Sequence, residues 1–278
     1  MPELPEVETM RRGLLPLIGR KIVAAERMPC PRRPISITPS LKKIGERLVG
    51  KRITAVERLG KRVIVVTENA MRLFFEPRMT GLVLTESPPT QEHVRFRLRL
   101  GGRPHVDVLF WDRRGLGLVY CLDEREFARR LETMKLGPDA CAISCNEFSS
   151  RLKKTQRPVK VALLDQSILA GVGNLYASEI LHRAKISPRR PCARLTKAEL
   201  EKIHSCMCEV LEEAIRFEGS TLSDGTYRNA LNQEGSYQNE HGVYDRENEF
   251  CRICRRGKIR RIVQSQRATF YCPICQAR

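Results

Sequence analysis

The chain has 278 residues, 41% of them hydrophobic, which is enough for two domains with ordinary cores and a small third module. Its 50 Lys and Arg against 32 Asp and Glu leave a net charge of +18 and a sequence pI near 9.8, which points to a polyanionic partner, nucleic acid first. No stretch reaches the ~18 apolar residues of a membrane span, no apolar N-terminal run resembles a signal peptide, and 11 mostly scattered cysteines fit a reducing cytoplasm better than a disulfide framework.

The chain opens Met1-Pro2-Glu3-Leu4-Pro5-Glu6-Val7-Glu8-Thr9. An initiator methionine before a small residue is normally trimmed, which would leave Pro2 as a secondary amine at the mature N-terminus. An α-amino group has a reference pKa of roughly 8, so part of it is unprotonated and nucleophilic near neutrality. Glu3 beside it is a carboxylate placed for proton transfer. The same residues also read as an ordinary helix start, since proline suits the first turn and acids suit the positive end of the dipole. Leu4, Val7, Leu14 and Leu15 would then form the buried stripe.

From about Lys21 to Leu122 the sequence reads as short strands, among them Arg52–Val56, Arg62–Val66, Arg72–Phe75, Val94–Leu100 and Val106–Phe110. Alternation in Val94–Leu100 places Val94, Phe96, Leu98 and Leu100 on one face and three arginines on the other. Many short strands between turns suggest a sandwich or barrel. The pattern turns helical at Asp123–Lys135, breaks at Leu136-Gly137-Pro138, and stays helical to about Phe217. Within that region Val159–Leu169 leads into the turn Ala170-Gly171-Val172-Gly173-Asn174, followed by a helix over Leu175–Arg183. Thr196-Lys197-Ala198-Glu199 has the capping-box pattern ahead of a periodic apolar run. Gly219–Arg246 is polar and aperiodic, a long loop of the kind that is usually functional or mobile.

At the far end, Cys251-Arg252-Ile253-Cys254 and Cys272-Pro273-Ile274-Cys275 have the spacing of a four-cysteine zinc site. Four thiolates close the tetrahedral shell, so one Zn²⁺ there is structural. From Cys251 through Arg278 there are eight basic residues and no acid, a face suited to phosphates, and Arg267 leads into the second knuckle as a phosphate clamp. Phe270 and Tyr271 read as ribbon packing.

With both ends in view, the chain resembles the bacterial formamidopyrimidine-DNA glycosylases. The resemblance rests on residues 2–9, on Met79-Thr80-Gly81, on Gly171-Val172-Gly173-Asn174-Leu175-Tyr176-Ala177-Ser178-Glu179 and on Gln266–Cys272. It implies an α+β multidomain fold: an N-terminal helix plus β-sandwich catalytic domain (1–135), a helix–two-turn–helix domain with a lid loop (136–245) and a C-terminal zinc ribbon (246–278). Damaged duplex DNA would lie in the cleft between, gripped by a monomer, in the cytoplasm at the nucleoid. The implied activity removes oxidised purines, 8-oxoguanine and formamidopyrimidines, and nicks the strand by β,δ-elimination. By similarity Pro2 attacks C1′, Glu3 protonates the sugar ring oxygen, Glu6 orders the site, and Lys61 and Arg267 hold phosphates and assist elimination. Asn174, Lys160, His93 and Arg114 would contact DNA, with Met79, Arg114 and Leu116 filling the hole left by the extruded base. Without the resemblance, Lys61 reads as a turn lysine and Met79 as a core methionine.

Two stretches depart from the family pattern. Glu76-Pro77-Arg78 stands where His-Leu-Gly is usual, placing a carboxylate where a histidine meets phosphate. Arg114-Gly115-Leu116-Gly117 lacks the usual aromatic wedge. Lesion preference is therefore open between oxidised purines and the oxidised pyrimidines of the endonuclease VIII branch, and a non-catalytic binder of abasic or damaged DNA is the third reading.

Overall fold

Strands dominate the first 122 residues because β-branched and aromatic side chains recur there at a period of two. A computed structural model describes residues 2–222, 225 and 227–277. Residues up to Met134 together with Ile215–Gln238 form one unit; Lys135–Ala214 together with the residues from Asn239 onward form the other.

The first unit begins with α1 (Leu4–Leu14), whose proline and Glu6 occupy the first turn. Leu4, Val7, Met10 and Leu14 are fully buried, whereas Leu15 is 37% exposed. Leu15 falls in a 3₁₀ turn after the helix, which points Leu17 inward in its place. Then follow β1 (Ile22–Arg27), β2 (Ser36–Thr38), α2 (Leu41–Leu48), β3 (Ile53–Leu59), β4 (Arg62–Thr67), β5 (Arg72–Glu76), β6 (Gly81–Leu84), β7 (Val94–Leu100), β8 (Asp107–Asp112), β9 (Leu118–Leu122) and α3 (Glu124–Met134). One sheet has the order β1-β7-β8-β6 and the other β2-β9-β5-β4-β3. All pairings are antiparallel except β2 with β9. One core of apolar side chains from both sheets also takes in α1 and Tyr227, and a second cluster of Ile64, Val66, Phe74 and Tyr120 packs with Phe127 of α3.

The inward set on β7 is as the alternation requires, but the three arginines do not share one fate. Arg99 is exposed and Arg97 pairs with Glu26, while Arg95 is only 2% exposed. Acceptors offset the burial of Arg95: its guanidinium donates to the carbonyl of Asp112 at 2.8 Å and contacts Cys30 Sγ.

In the second unit are α4 (Cys145–Lys153), α5 (Val159–Leu163), α6 (Asn174–Ala184), most of α7 (Lys197–Arg216), and the hairpin β10 (Arg260–Gln264) and β11 (Arg267–Tyr271). The expected Val159–Leu169 helix stops at Leu163. Asp165 Oδ1 accepts from both the backbone and the hydroxyl of Ser167, at 2.9 and 2.6 Å, and this local turn competes with the helical ladder. The capping box forms: Thr196 N–H donates to Glu199 Oε2 at 2.7 Å and Glu199 N–H to Thr196 Oγ1 at 3.2 Å. Phe270 packs in a small core with Val243, Ile259, Cys251 and Cys272. Among the described residues, no helix is long and apolar enough to cross a membrane.

Candidate active site and nucleic-acid interface

Pro2 is buried at the head of α1, followed by the buried carboxylates of Glu3 and Glu6. The Glu3 N–H donates to Glu6 Oε2 at 2.8 Å, and Glu6 Oε1 accepts the Ser220 N–H at 3.0 Å. One carboxylate thus joins the helix start to the loop at residues 219–220. Gly219 makes this approach possible: its φ is +81°, and a Cβ there would sit 2.8 Å from Glu6 Oε1. The Tyr227 hydroxyl donates to the Glu218 carbonyl at 2.9 Å. Burial, reinforced by the Glu6 charge, pushes its phenol well above the ordinary range, so it stays protonated.

Glu8 fixes the helix from its other face. Its oxygens meet Arg11 at 2.8 Å, Arg12 at 2.9 Å and Arg58 at 3.1 Å. Burial acts to raise its pKa, but hydrogen bonds from Arg11 and Arg12 and the charges of Arg11 and Arg58 overcome it and hold the carboxyl at about 2. Arg58 also donates to the Gly60 carbonyl at 3.1 Å, in the turn that presents Lys61. The chain Glu8–Arg58–Gly60 therefore ties the Lys61 turn to the helix that begins beside Pro2.

The intercalation candidates are brought together by one buried acid. Asp112 Oδ1 accepts from Thr80 Oγ1 at 2.5 Å and from Arg114 N–H at 3.1 Å, while Oδ2 accepts from Gly117 N–H at 2.7 Å. Met79, 41% exposed, and the loop carrying Arg114 and Leu116 are thereby held to a common support. Arg114 is exposed and Leu116 half-buried.

Glu76, which as a bare carboxylate would repel phosphate, is buried between two guanidinium groups. Arg62 Nε lies 2.7 Å from Oε2 and Arg78 Nε 2.6 Å from Oε1. His93 is buried edge-on against Trp111, with Nε2 3.1 Å from Glu92. Burial lowers its pKa, the Arg95, Arg32 and Arg113 charges add to this, and Glu92 opposes it. Its Nδ1 has no partner among the described residues.

In the second unit, Lys160 has no exposed surface. Its Nζ donates to Asn174 Oδ1 at 2.8 Å, Ala268 O at 3.0 Å and Thr269 Oγ1 at 2.8 Å. Three protein acceptors surround the ammonium of this lysine, for which a DNA contact is expected, and through them it positions Asn174 against β11. Asn174 Nδ2 also donates to the Ala268 carbonyl, at 2.9 Å, so the side chain at the head of α6 is locked onto β11. One residue away, Arg267 is exposed and makes no ion pair among the described residues. The hairpin turn before it has Ser265 and Gln266 at φ +46° and +60°, left-handed backbone on two residues that are not glycine.

Cys251, Cys254, Cys272 and Cys275 offer four sulfurs within 4.8 Å of one another. Two of the edges measure 3.8 and 3.7 Å. A tetrahedron with metal–sulfur bonds of about 2.3 Å has edges of about 3.8 Å, so the set fits a tetrahedral metal ion.

Models of the formamidopyrimidine-DNA glycosylase N-terminal domain and of its H2TH domain match residues 1–119 and 136–226. The formamidopyrimidine-DNA glycosylase of Chloroflexus aurantiacus is 38% identical over 280 residues, covering 99% of this chain and 98% of its own. The chain belongs to the formamidopyrimidine-DNA glycosylase family. Among solved structures, the MutM (Fpg) protein from Thermus thermophilus superposes with a TM-score of 0.86 at 36% identity, covering 99% of this chain and 98% of that one. The Lactococcus lactis Fpg in complex with DNA containing an abasic site gives a TM-score of 0.86 at 29% identity, with 99% and 100% covered.

Within this family member, several supporting residues carry no signal in the sequence. Asp112 reaches back 32 positions to Thr80, and Ser220 and Tyr227 lie 214 and 221 positions from Glu6, which they contact. The sequence of the loop from Glu218 to Tyr237 assigns it no contacts, yet its described part is bound on Glu6, and Thr85 N–H donates to Ala230 O at 2.8 Å. Ser223, Asp224 and Thr226 of that loop lie outside the described residues. Gly219 is the one available clue, as a glycine beside a serine in a polar stretch.

Proposed function

We propose that this chain is a bifunctional glycosylase and AP lyase that removes oxidised purines, 8-oxoguanine and formamidopyrimidines, from duplex DNA through Pro2. The observation that carries the reading is Pro2 set at the head of a helix beside two buried carboxylates, one fixed from both sides, in a family member that aligns with a relative over 99% of its residues. After removal of Met1, the Pro2 nitrogen attacks C1′ of an extruded nucleotide, and the base leaves with the bonding pair of the glycosidic bond. Glu3 protonates the ring oxygen as the sugar opens, and the resulting iminium acidifies C2′. Loss of a C2′ proton expels the 3′ phosphate, and a second elimination expels the 5′ phosphate. Lys61 and Arg267 bind those phosphates, and Asn174 adds a helix N-terminus. Met79, Arg114 and Leu116 fill the gap in the stack.

The four cysteines hold one structural Zn²⁺, which the tetrahedral sulfur spacing supports. In this reading the domains are 1–135, 136–245 and 246–278, and the protein acts as a monomer in the cytoplasm, at the nucleoid. A relative from Lactococcus lactis has been solved with DNA containing a Fapy-dG lesion, which supports the substrate class.

The test is borohydride trapping on a duplex carrying 8-oxoguanine opposite cytosine, with the cross-linked peptide mapped by mass spectrometry. An adduct on the Pro2 nitrogen, lost in Pro2→Gly, is expected. Trapping on thymine glycol instead would move the specificity to oxidised pyrimidines. Tight binding with no adduct on either lesion or on an abasic site would leave a damaged-DNA binder.

A further inference from the structure

The periodicity of Leu175–Arg183 predicts a helix and gives His182 no role. In the structure His182 is buried on α6, with Nε2 3.2 Å from Cys251 Sγ. We propose that His182 supports the metal site from outside the ligand shell: it donates its Nε2–H to the Cys251 thiolate and makes α6 part of the metal site. This rests on the reading of the four cysteines as a zinc site.

Four thiolates around a divalent cation leave a net charge of −2, and that excess is spread by N–H donors. Cys254 Sγ receives the Gly257 N–H at 3.4 Å and Cys272 Sγ the Cys275 N–H at 3.4 Å, both from within the ribbon. Cys251 receives a side-chain donor from 69 residues away in the sequence. A metal-bound thiolate carries no proton and can only accept, so the proton between the two groups belongs to Nε2.

The surroundings are arranged for this contact. A Cβ on Gly242 would lie 2.6 Å from His182 Nδ1, so a side chain at that position would displace the ring. Glu179, three residues before His182 on the same helix, accepts N–H groups from Gly242, Val243 and Tyr244 at 2.8, 3.0 and 2.7 Å. The two side chains lie on one face of α6 and hold the root of the ribbon, one through its backbone and one through the metal ligand. At the head of the same helix, Asn174 binds the Ala268 carbonyl. The helix is therefore attached to the ribbon at both ends.

The experiment compares the zinc-loaded full-length protein with H182F and H182Q, following zinc transfer to a chromophoric chelator near neutral pH. H182F is expected to hold zinc about 10–100-fold less tightly, and H182Q, which keeps an N–H donor, to recover part of the loss. Cobalt-loaded protein gives a second readout, because losing a hydrogen bond to a thiolate shifts its sulfur-to-cobalt charge-transfer band. Native zinc retention in folded H182F overturns the inference. Should H182F fail to fold, an unshifted cobalt band in H182A, which removes the donor without adding bulk, overturns it. A wild-type chain that takes up neither metal overturns the zinc reading itself, a distinguishable result.

Discussion

The Glu76 carboxylate is buried and shared, with Arg78 Nε 2.6 Å from one oxygen and Arg62 Nε 2.7 Å from the other. This acid is therefore no isolated negative charge. The three groups sum to +1, and the outermost, Arg78, is 55% exposed on left-handed backbone beside Met79.

Arg78 is accordingly expected to carry the phosphate contact at this turn. Arg78→Ala should weaken binding to an abasic-site duplex and lower the slope of log affinity against log salt by about 1. Fluorescence anisotropy across a potassium chloride series measures both, and an unchanged slope would remove Arg78 from the interface.

Gly219 allows Ser220 to reach Glu6. Gly219→Ala places a methyl against the Glu6 carboxylate and adds about 1–2 kcal/mol of backbone strain at this φ. Single-turnover excision is expected to slow about 100-fold, from displacement of Glu6 alone, while binding of a reduced abasic duplex is retained.

Asp112 satisfies three donors from two segments. In Asp112→Asn an amide N–H must face one of those donors, costing about 1–3 kcal/mol. Thermal unfolding should register the loss. Quenching of an adenine analogue opposite the lesion should fall as well, because Met79 and Leu116 lose their common support.

Glu8 sets an acid limb on stability. Its folded pKa of about 2 lies below the ordinary 4.5, so its contribution is present above pH 4.5 and is lost as pH falls toward 2. Glu8→Gln should cost about 2 kcal/mol at neutral pH and flatten the acid branch of a pH–stability curve. A parallel shift of the whole curve would argue against a titrating role.

Features set by local chemistry were legible in the chain before it folded. Alternation on β7 marked the inward side chains, Thr196 and Glu199 the start of α7, and two Cys-x-x-Cys knuckles the four-cysteine cluster. The glutamates after Pro2 were legible for the same reason, since three residues along a helix is a fixed distance. Which charges are held inside the protein depends instead on how distant segments meet. Lys160 and Arg95 are indistinguishable in sequence from Arg267 and Arg99, yet the first two are buried against carbonyls and hydroxyls and the last two are exposed. Burying a cation requires acceptors aimed at it, and those come from residues many positions away, such as Ala268 for Lys160. The same holds for Glu6 with Ser220, 214 residues apart, and for Cys251 with His182: periodicity places a residue on a face, but the partner across that face is set by how the chain folds back.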